Sequence, residues 1–301
     1  MRVAILGCGY VGLELGRQLE ERGHETIGVR RSAAGIEAIE DADFEGVQAD
    51  VTDASALEDV PDVDAIVFAA SSGGRGAEAA REVYVEGLET AIRVFGERDH
   101  QPTRLVYTSS TGVHGDHNGE WVDEETPIEP TTEKTEVLAA AERIALEGPP
   151  EYGDGFEGTV ARFAGLYGPD RYRLERYLEG PVTAGYLNMV HRDDAAGAVR
   201  YLLEHDLGRG EVVQVVDDEP ASKWAFADWL AEQSGLELPE KRTKAERLEA
   251  GELSAAARRR ILTSKRCSNA KLHELGYEPE YPTYQEGYES AIAAYPGNTP
   301  S

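Results

Sequence analysis

The chain has 301 residues, of which 41% are hydrophobic, enough to bury a sizeable core and too many for global disorder. Asp and Glu number 57 against 30 Lys and Arg, giving a net charge of -27, a field that repels nucleic acid and anionic membrane. No apolar run approaches the ~18 to 20 residues needed to span a bilayer, and no cationic, apolar leader is seen, so a cytoplasmic location is expected.

The acids are dispersed through the chain instead of forming a tail, and lysine is sparse. A surface of that kind stays hydrated when salt screens its self-repulsion, which points to a halophilic cytoplasm. Cys8 and Cys267 are the only cysteines and lie too far apart for a CxxC pair or a multi-cysteine zinc site, so both read as reduced, non-catalytic thiols.

From the N-terminus, residues 2–6 (RVAIL) form a short aliphatic run suited to a strand buried on both faces. Gly7-Cys8-Gly9-Tyr10-Val11-Gly12 follows, and then a helical stretch with Val11, Leu15 and Leu19 on one face. Gly23 ends that helix, and residues 25–29 make a second strand. This is the strand–GxGxxG–helix–strand context of a dinucleotide site, spanning residues 1–70. Gly7 permits the tight turn, Gly9 lets backbone approach a pyrophosphate, and Gly12 lets the helix pack on the strand. The helix N-terminus offers its free N–H groups to the phosphates.

An acid at the end of the second strand would bind a ribose 2′-OH; the segment here reads Gly28-Val29-Arg30-Arg31-Ser32. Arg30 and Arg31 either receive a 2′-phosphate or merely solubilise the loop. In a chain this poor in cations the first is preferred, so the expected cofactor is NADP, with NAD as the alternative.

Strands follow at 46–50 (ending at Asp50-Val51), 64–70 and 104–110, with helical patterns between them, including one over 79–98. The fold class is α/β, a Rossmann doubly wound parallel sheet with a smaller α/β C-terminal substrate domain. Ligands bind such sheets at the carboxyl ends of strands, which adds Asp50, Val51, Ala69, Ala70, Ser71, Thr108 and Ser109 to the cofactor site, with Ser110 beside them. Residues 147–158 read as a polar connection, and residues 295–301 as a frayed tail.

These residues resemble the extended short-chain dehydrogenase/reductase superfamily, the NAD-dependent epimerase/dehydratase family. The similarity is carried by GCGYVG at 7–12, Asp50, SSTGVHG at 109–115, Pro130 with a helix containing Glu142, and RFAGLYGPDR at 162–171. NMVHRDDAAGAV at 188–199, VVDDEP at 215–220 and SNAKLHELGYEPEYPTYQEG at 268–287 complete it. The resemblance implies a cofactor domain at 1–165 completed by 189–216, and a substrate domain at 166–188 and 217–294. It also implies a Ser and a Tyr-x-x-x-Lys pair, in which the Lys tunes a Tyr that moves a proton.

Ser110 occupies the hydroxyl position, but the Tyr position falls on Lys134 and the Lys position on Leu138, and the chain contains no Tyr-x-x-x-Lys. The similarity is therefore to an atypical branch assigned as nucleotide-sugar epimerases or NAD(P)-dependent oxidoreductases. Ser110, Lys134 and His114 are its candidate catalytic groups; Lys134 is otherwise a solvated helix residue and Ser110 a backbone cap. Tyr167 and Arg171 border the expected substrate cleft. His191 with Asp193 and Asp194 reads as a helix start, and no spacing suggests a metal. Tyr281, Tyr284 and Tyr288 read as packing of the small domain, and Trp224 and Trp229 as helix core. The expectation is an NADP-dependent oxidoreductase or epimerase with a small-molecule substrate, with a homodimer as one option for its assembly; the competing reading is a non-catalytic NADP-binding sensor or assembly protein.

Overall fold

The computed structural model describes residues 1–295 apart from Gly74, Arg75, Asp154, Glu252 and the side chain of Ala256. Residues 296–301, most of the expected frayed tail, lie outside the described residues.

Seven parallel strands form the central sheet: β1 (Arg2–Leu6), β2 (Glu25–Arg30), β3 (Glu45–Gln48), β4 (Ala65–Phe68), β5 (Arg104–Ser110), β6 (Glu157–Phe163) and β7 (Val212–Val215). Their spatial order is β7-β6-β5-β4-β1-β2-β3, so the connection direction reverses between β1 and β4. The aliphatic runs divide by alternation. Val3, Ile5, Val67 and Val106 enter one core layer, while Ala4, Leu6, Ile66, Phe68, Leu105 and Tyr107 enter the other. The first layer is closed by α1 (Tyr10–Glu21) and the helix Arg192–Glu204, through Val11, Leu15, Leu19, Ala195 and Leu202.

α2 (Ala33–Glu40) joins the first layer at its margin through Ile39, and the second layer is closed by α3 (Ala54–Glu58), α4 (Ala77–Arg81), α5 (Gly87–Gly96) and α6 (Glu133–Glu147). The single helix expected over 79–98 is instead α4 and α5 joined by one π turn at Glu82–Glu86. At that joint Gly87 presses against the cleft floor, where an added Cβ would meet Val51 at 3.0 Å.

Residues 147–158 are more structured than a polar connection. Pro149–Glu151 forms a 3-10 turn, Tyr152 packs on Gly96, Phe156 is buried and β6 begins at Glu157. Two apolar rings in a Gly- and Pro-rich string have no period, so sequence patterning misses them.

A third apolar cluster lies outside the sheet, built from Tyr167, Leu174, Met189, Phe226, Leu230, Tyr284, Tyr288 and Ile292. Tyr284 and Tyr288 pack there as expected, but Tyr281 lies over His191 with ring centroids 3.9 Å apart. Phe226, not Trp224 or Trp229, is the buried centre of the helix Lys223–Gln233; both indoles are half-buried and Trp224 donates to the Val182 carbonyl. His191 itself caps the helix Arg192–Glu204, accepting from the Asp193 N–H, while Asp194 accepts from Glu280 N–H, Tyr281 N–H and the Tyr277 hydroxyl. Asp194 thus ties the C-terminal segment to the sheet layer. No helix among the described residues is long and apolar enough to cross a membrane.

Asp217, at the end of β7, is 3% exposed and one carboxyl oxygen has no hydrogen-bond partner. Burial, reinforced by Asp218, Glu219 and Asp194, pushes its pKa well above the usual carboxylate range. The folded state therefore holds a proton that the unfolded chain releases. Its stabilising contribution is complete below the ordinary Asp range and is lost as pH rises through the folded pKa. Asp217→Asn should accordingly raise Tm by about 2–4 °C per kcal/mol relieved at pH 8, with the gain shrinking as pH falls in a calorimetric series.

Candidate functional site

A cleft of about 520 Å³ opens at the carboxyl ends of β1, β2, β4 and β5, over the point where the strand order reverses. Its floor is the glycine loop. Gly7 has φ +88°, and a Cβ there would lie 2.2 Å from Ala70 Cα. Gly12 touches the Ile5 side chain at the equivalent of 3.0 Å, which sets α1 directly on β1. No side chain caps α1 at Gly9, so its first-turn N–H groups remain available to an anion. The loop, its uncapped helix and the open cleft fit a dinucleotide pyrophosphate.

The two arginines at the end of β2 do different things. Arg30 is half-buried, donates to the Cys8 carbonyl at 3.0 Å and lies across Gly9 and Gly35, whose missing side chains make room for it. Arg31 is exposed in the cleft, 4.0 Å from the Asp50 carboxylate and beside Gly73. Asp50 also accepts from the backbone and hydroxyl of Thr52, closing the turn after β3. Val51, Ala69, Ala70, Ser71 and Thr108 line the same cleft, with Tyr10, Val11 and Arg171. Arg171 stacks on Tyr10, its guanidinium 3.9 Å from the ring centroid, while the Tyr10 hydroxyl donates to the Pro169 carbonyl. Cys8 is buried against the loop and its thiol is pushed up to about 12, consistent with an inert role.

The family model for the NAD dependent epimerase/dehydratase family matches residues 3–215. The chain belongs to this family. It is 30% identical over 294 residues to the Escherichia coli K12 protein YeeZ, covering 93% of this chain and 96% of that protein. It is similar to the solved structure of a protein from Methylobacillus flagellatus described as a "putative NAD-dependent epimerase/dehydratase", with 29% identity, TM-score 0.75 and coverage of 97% and 98%. The fold is also that of the human epimerase family protein SDR39U1 with NADPH, at 17% identity, TM-score 0.74 and coverage of 98% and 100%.

Several residues expected in the site are placed elsewhere. Ser109 points away from the cleft, because neighbours on a strand face opposite ways, and donates to Glu142 at 2.6 Å beneath α6. Ser110 is occupied as a cap, its oxygen accepting from the Gly112 N–H at 3.1 Å, and it does not line the cleft. His114 is fully buried; burial, then Arg162 and Lys265, push its pKa down to about 3. It is therefore neutral at physiological pH and sealed from the cleft, which removes it as an acid/base group. Tyr167 is buried in the third cluster, stacked on Tyr288 at 4.8 Å, and is a packing residue rather than a cleft wall. Lys134 is exposed on the first turn of α6, its ammonium 5.9 Å from the Tyr84 ring centroid. Leu138 is half-buried on the same helix.

The residues sequence reasoning missed are tertiary. Val29, Ser32, Ala49, Gly73, Val83, Phe163 and Leu166 complete the cleft. Only Ser32 carried a local signal, being a helix-capping type before Ala33. A second cavity of about 410 Å³ lies beyond it, lined by Arg176, Lys223, Arg247 and Arg260 with Tyr177 and Thr183. No carboxylate lines it among the described residues, in a chain with net charge -27. Burial, then Lys244 and Arg176, lower the Lys223 pKa, as expected where ammonium charge lacks a counter-ion.

Proposed function

We propose that this chain is an NADP-dependent oxidoreductase or epimerase whose substrate carries an anionic, nucleotide-sugar-like group. The observation that carries this reading is the second cavity, lined by four cations and by no carboxylate among the described residues; Arg171 of the cleft and Arg176 of this cavity are five positions apart in the chain. A cofactor sensor needs only the first cleft. The proposed division of labour follows: residues 1–165 with 189–216 hold the cofactor, and residues 166–188 with 217–294 hold the substrate.

Arg31, exposed in the cleft and only loosely paired with Asp50 at 4.0 Å, supports NADP over NAD, since Arg30 is already engaged with the glycine loop. A bound nicotinamide cofactor would supply hydride chemistry; Gly7, Gly9 and the N–H groups of α1 would hold its pyrophosphate. A non-catalytic NADP sensor or assembly protein is the second reading, favoured by Lys134 and Leu138 standing at the family's Tyr and Lys positions.

Titration with NADPH and NADH, followed by fluorescence, should give at least tenfold tighter NADPH binding. Arg31→Ala should remove about tenfold of that preference, the worth of one charge-assisted contact. Tighter NADH binding with Arg31→Ala neutral would overturn the NADP assignment. A panel of nucleoside-diphosphate sugars and simple carbonyls, monitored by cofactor absorbance, separates enzyme from sensor.

A further inference from the structure

Among the groups proposed to move a proton, His114 is sealed and Ser110 is engaged as a cap, yet the half-buried hydroxyl of Tyr84, whose chain neighbour Val83 lines the cleft, remains unspent. Tyr84 lies in the π turn at Glu82–Glu86, and π turns inside helices often re-aim a side chain at a functional site. Its oxygen accepts from the Ser72 N–H at 3.3 Å and from the Ser72 hydroxyl at 3.4 Å. Its own hydrogen goes to no acceptor among the described residues. Ser71 and Gly73, on either side of Ser72, line the cleft, as does Val83 beside Tyr84. Over the Tyr84 ring stands the Lys134 ammonium, at 5.9 Å from the centroid.

We infer that Tyr84 is the proton donor and acceptor of this site, with Lys134 as its positioning residue, the pair being assembled across two helices instead of along one. The inference rests on the enzyme reading above. A phenol whose oxygen receives two donors and whose ring faces a cation is arranged to carry negative charge transiently. In the reducing direction, a bound nicotinamide cofactor would supply the hydride for the new C–H bond at the substrate carbonyl carbon. The carbonyl π pair takes the proton from the Tyr84 hydroxyl, whose O–H electrons stay on the phenolic oxygen. That oxygen regains a proton from water, and the oxidising direction reverses each transfer. Lys134 and Tyr84 are 50 residues apart in sequence, which is why no linear motif records them.

The substrate-free test is nitration with tetranitromethane, read at each tyrosine by peptide mass spectrometry. Tyr84 should be protected at least fivefold by saturating NADP, and its nitration should slow about threefold in Lys134→Met, which keeps the stem but removes the charge. A structural tyrosine would respond to neither. Tyr84→Phe keeps the ring and should retain NADPH affinity within twofold, while kcat on any panel substrate falls about 100-fold, the usual worth of a positioned acid/base. Nitration at Tyr84 indifferent to cofactor and to Lys134, or Tyr84→Phe turning over at the unmodified rate, overturns the inference while leaving the enzyme reading intact. Cofactor binding with Tyr84 protected but no turnover of any panel compound overturns the enzyme reading and the catalytic role with it, leaving Tyr84 a cofactor contact.

Discussion

Arg162→Ala is expected to cost about 3–5 kcal/mol of folding free energy, because it strands a buried carboxylate without its partner. Arg162 and Glu142 are each 4% exposed. The guanidinium meets the carboxylate along two bonds, Nε to Oε1 at 3.0 Å and Nη2 to Oε2 at 2.8 Å, and Ser109 adds a third at 2.6 Å. Bidentate geometry and a matching hydroxyl make the pair tolerable in the core; removal of either charge leaves the other desolvated. Arg162→Met with Glu142→Leu should recover most of the loss, since desolvating two charges is itself costly. Urea unfolding of both single variants and the double variant measures this directly. A loss below about 1 kcal/mol in Arg162→Ala, the level of an exposed pair, would show that water reaches the site.

The pair also bears on function. It fastens α6, which carries Lys134, to β5 and β6, which end at the cleft. Glu142→Gln, which keeps the shape and the Ser109 contact, should therefore weaken cofactor binding less than Arg162→Ala does.

Gly7→Ala carries the second large effect and falls on binding as well as stability. A Cβ at this position meets backbone, not a yielding side chain: Ala70 Cα at 2.2 Å and Ala70 N at 2.3 Å. The residue also holds φ +88°, a left-handed conformation that costs an L-residue about 1–2 kcal/mol. Overpacking adds about 1–3 kcal/mol more, and the relaxation that relieves it moves the cleft floor. Cofactor affinity is expected to fall more than 100-fold with a lower Tm. Gly9→Ala provides the contrast. Its Cβ meets only the tip of the Arg30 side chain at 2.9 Å, so the fold should persist while pyrophosphate approach is hindered. Equal Tm losses in the two variants would contradict this account.

Much of the cofactor half was legible in the chain because its determinants are local. The apolar run at 2–6, the glycine spacing and the face carrying Val11, Leu15 and Leu19 each lie within a few residues of one another. The strand ends were less exact: β3 stops at Gln48, before the expected Asp50, because Asp50 turns the chain by bonding Thr52. Around β5 the strand itself was plain, but not which way its hydroxyls face. Thr108 reaches the cleft, whereas Ser109 is drawn under α6 by Glu142 and Ser110 is used by Gly112.

By itself, then, the sequence determined the family, the parallel α/β fold and the dinucleotide loop, since backbone conformation at glycine and the periodicity of apolar residues act over short stretches. Only the tertiary structure decided which polar groups remain free. His114 resembles a titrating group until burial and the Arg162 and Lys265 charges lower it to about 3. Arg30 and Arg31 look equivalent until one is bound to Cys8 and the other left in the cleft. The meeting of Tyr84, Ser72 and Lys134, and of four cations around the second cavity, joins segments distant in the chain. Desolvation and charge pairing depend on what packs around a side chain, and that is a property of the folded arrangement.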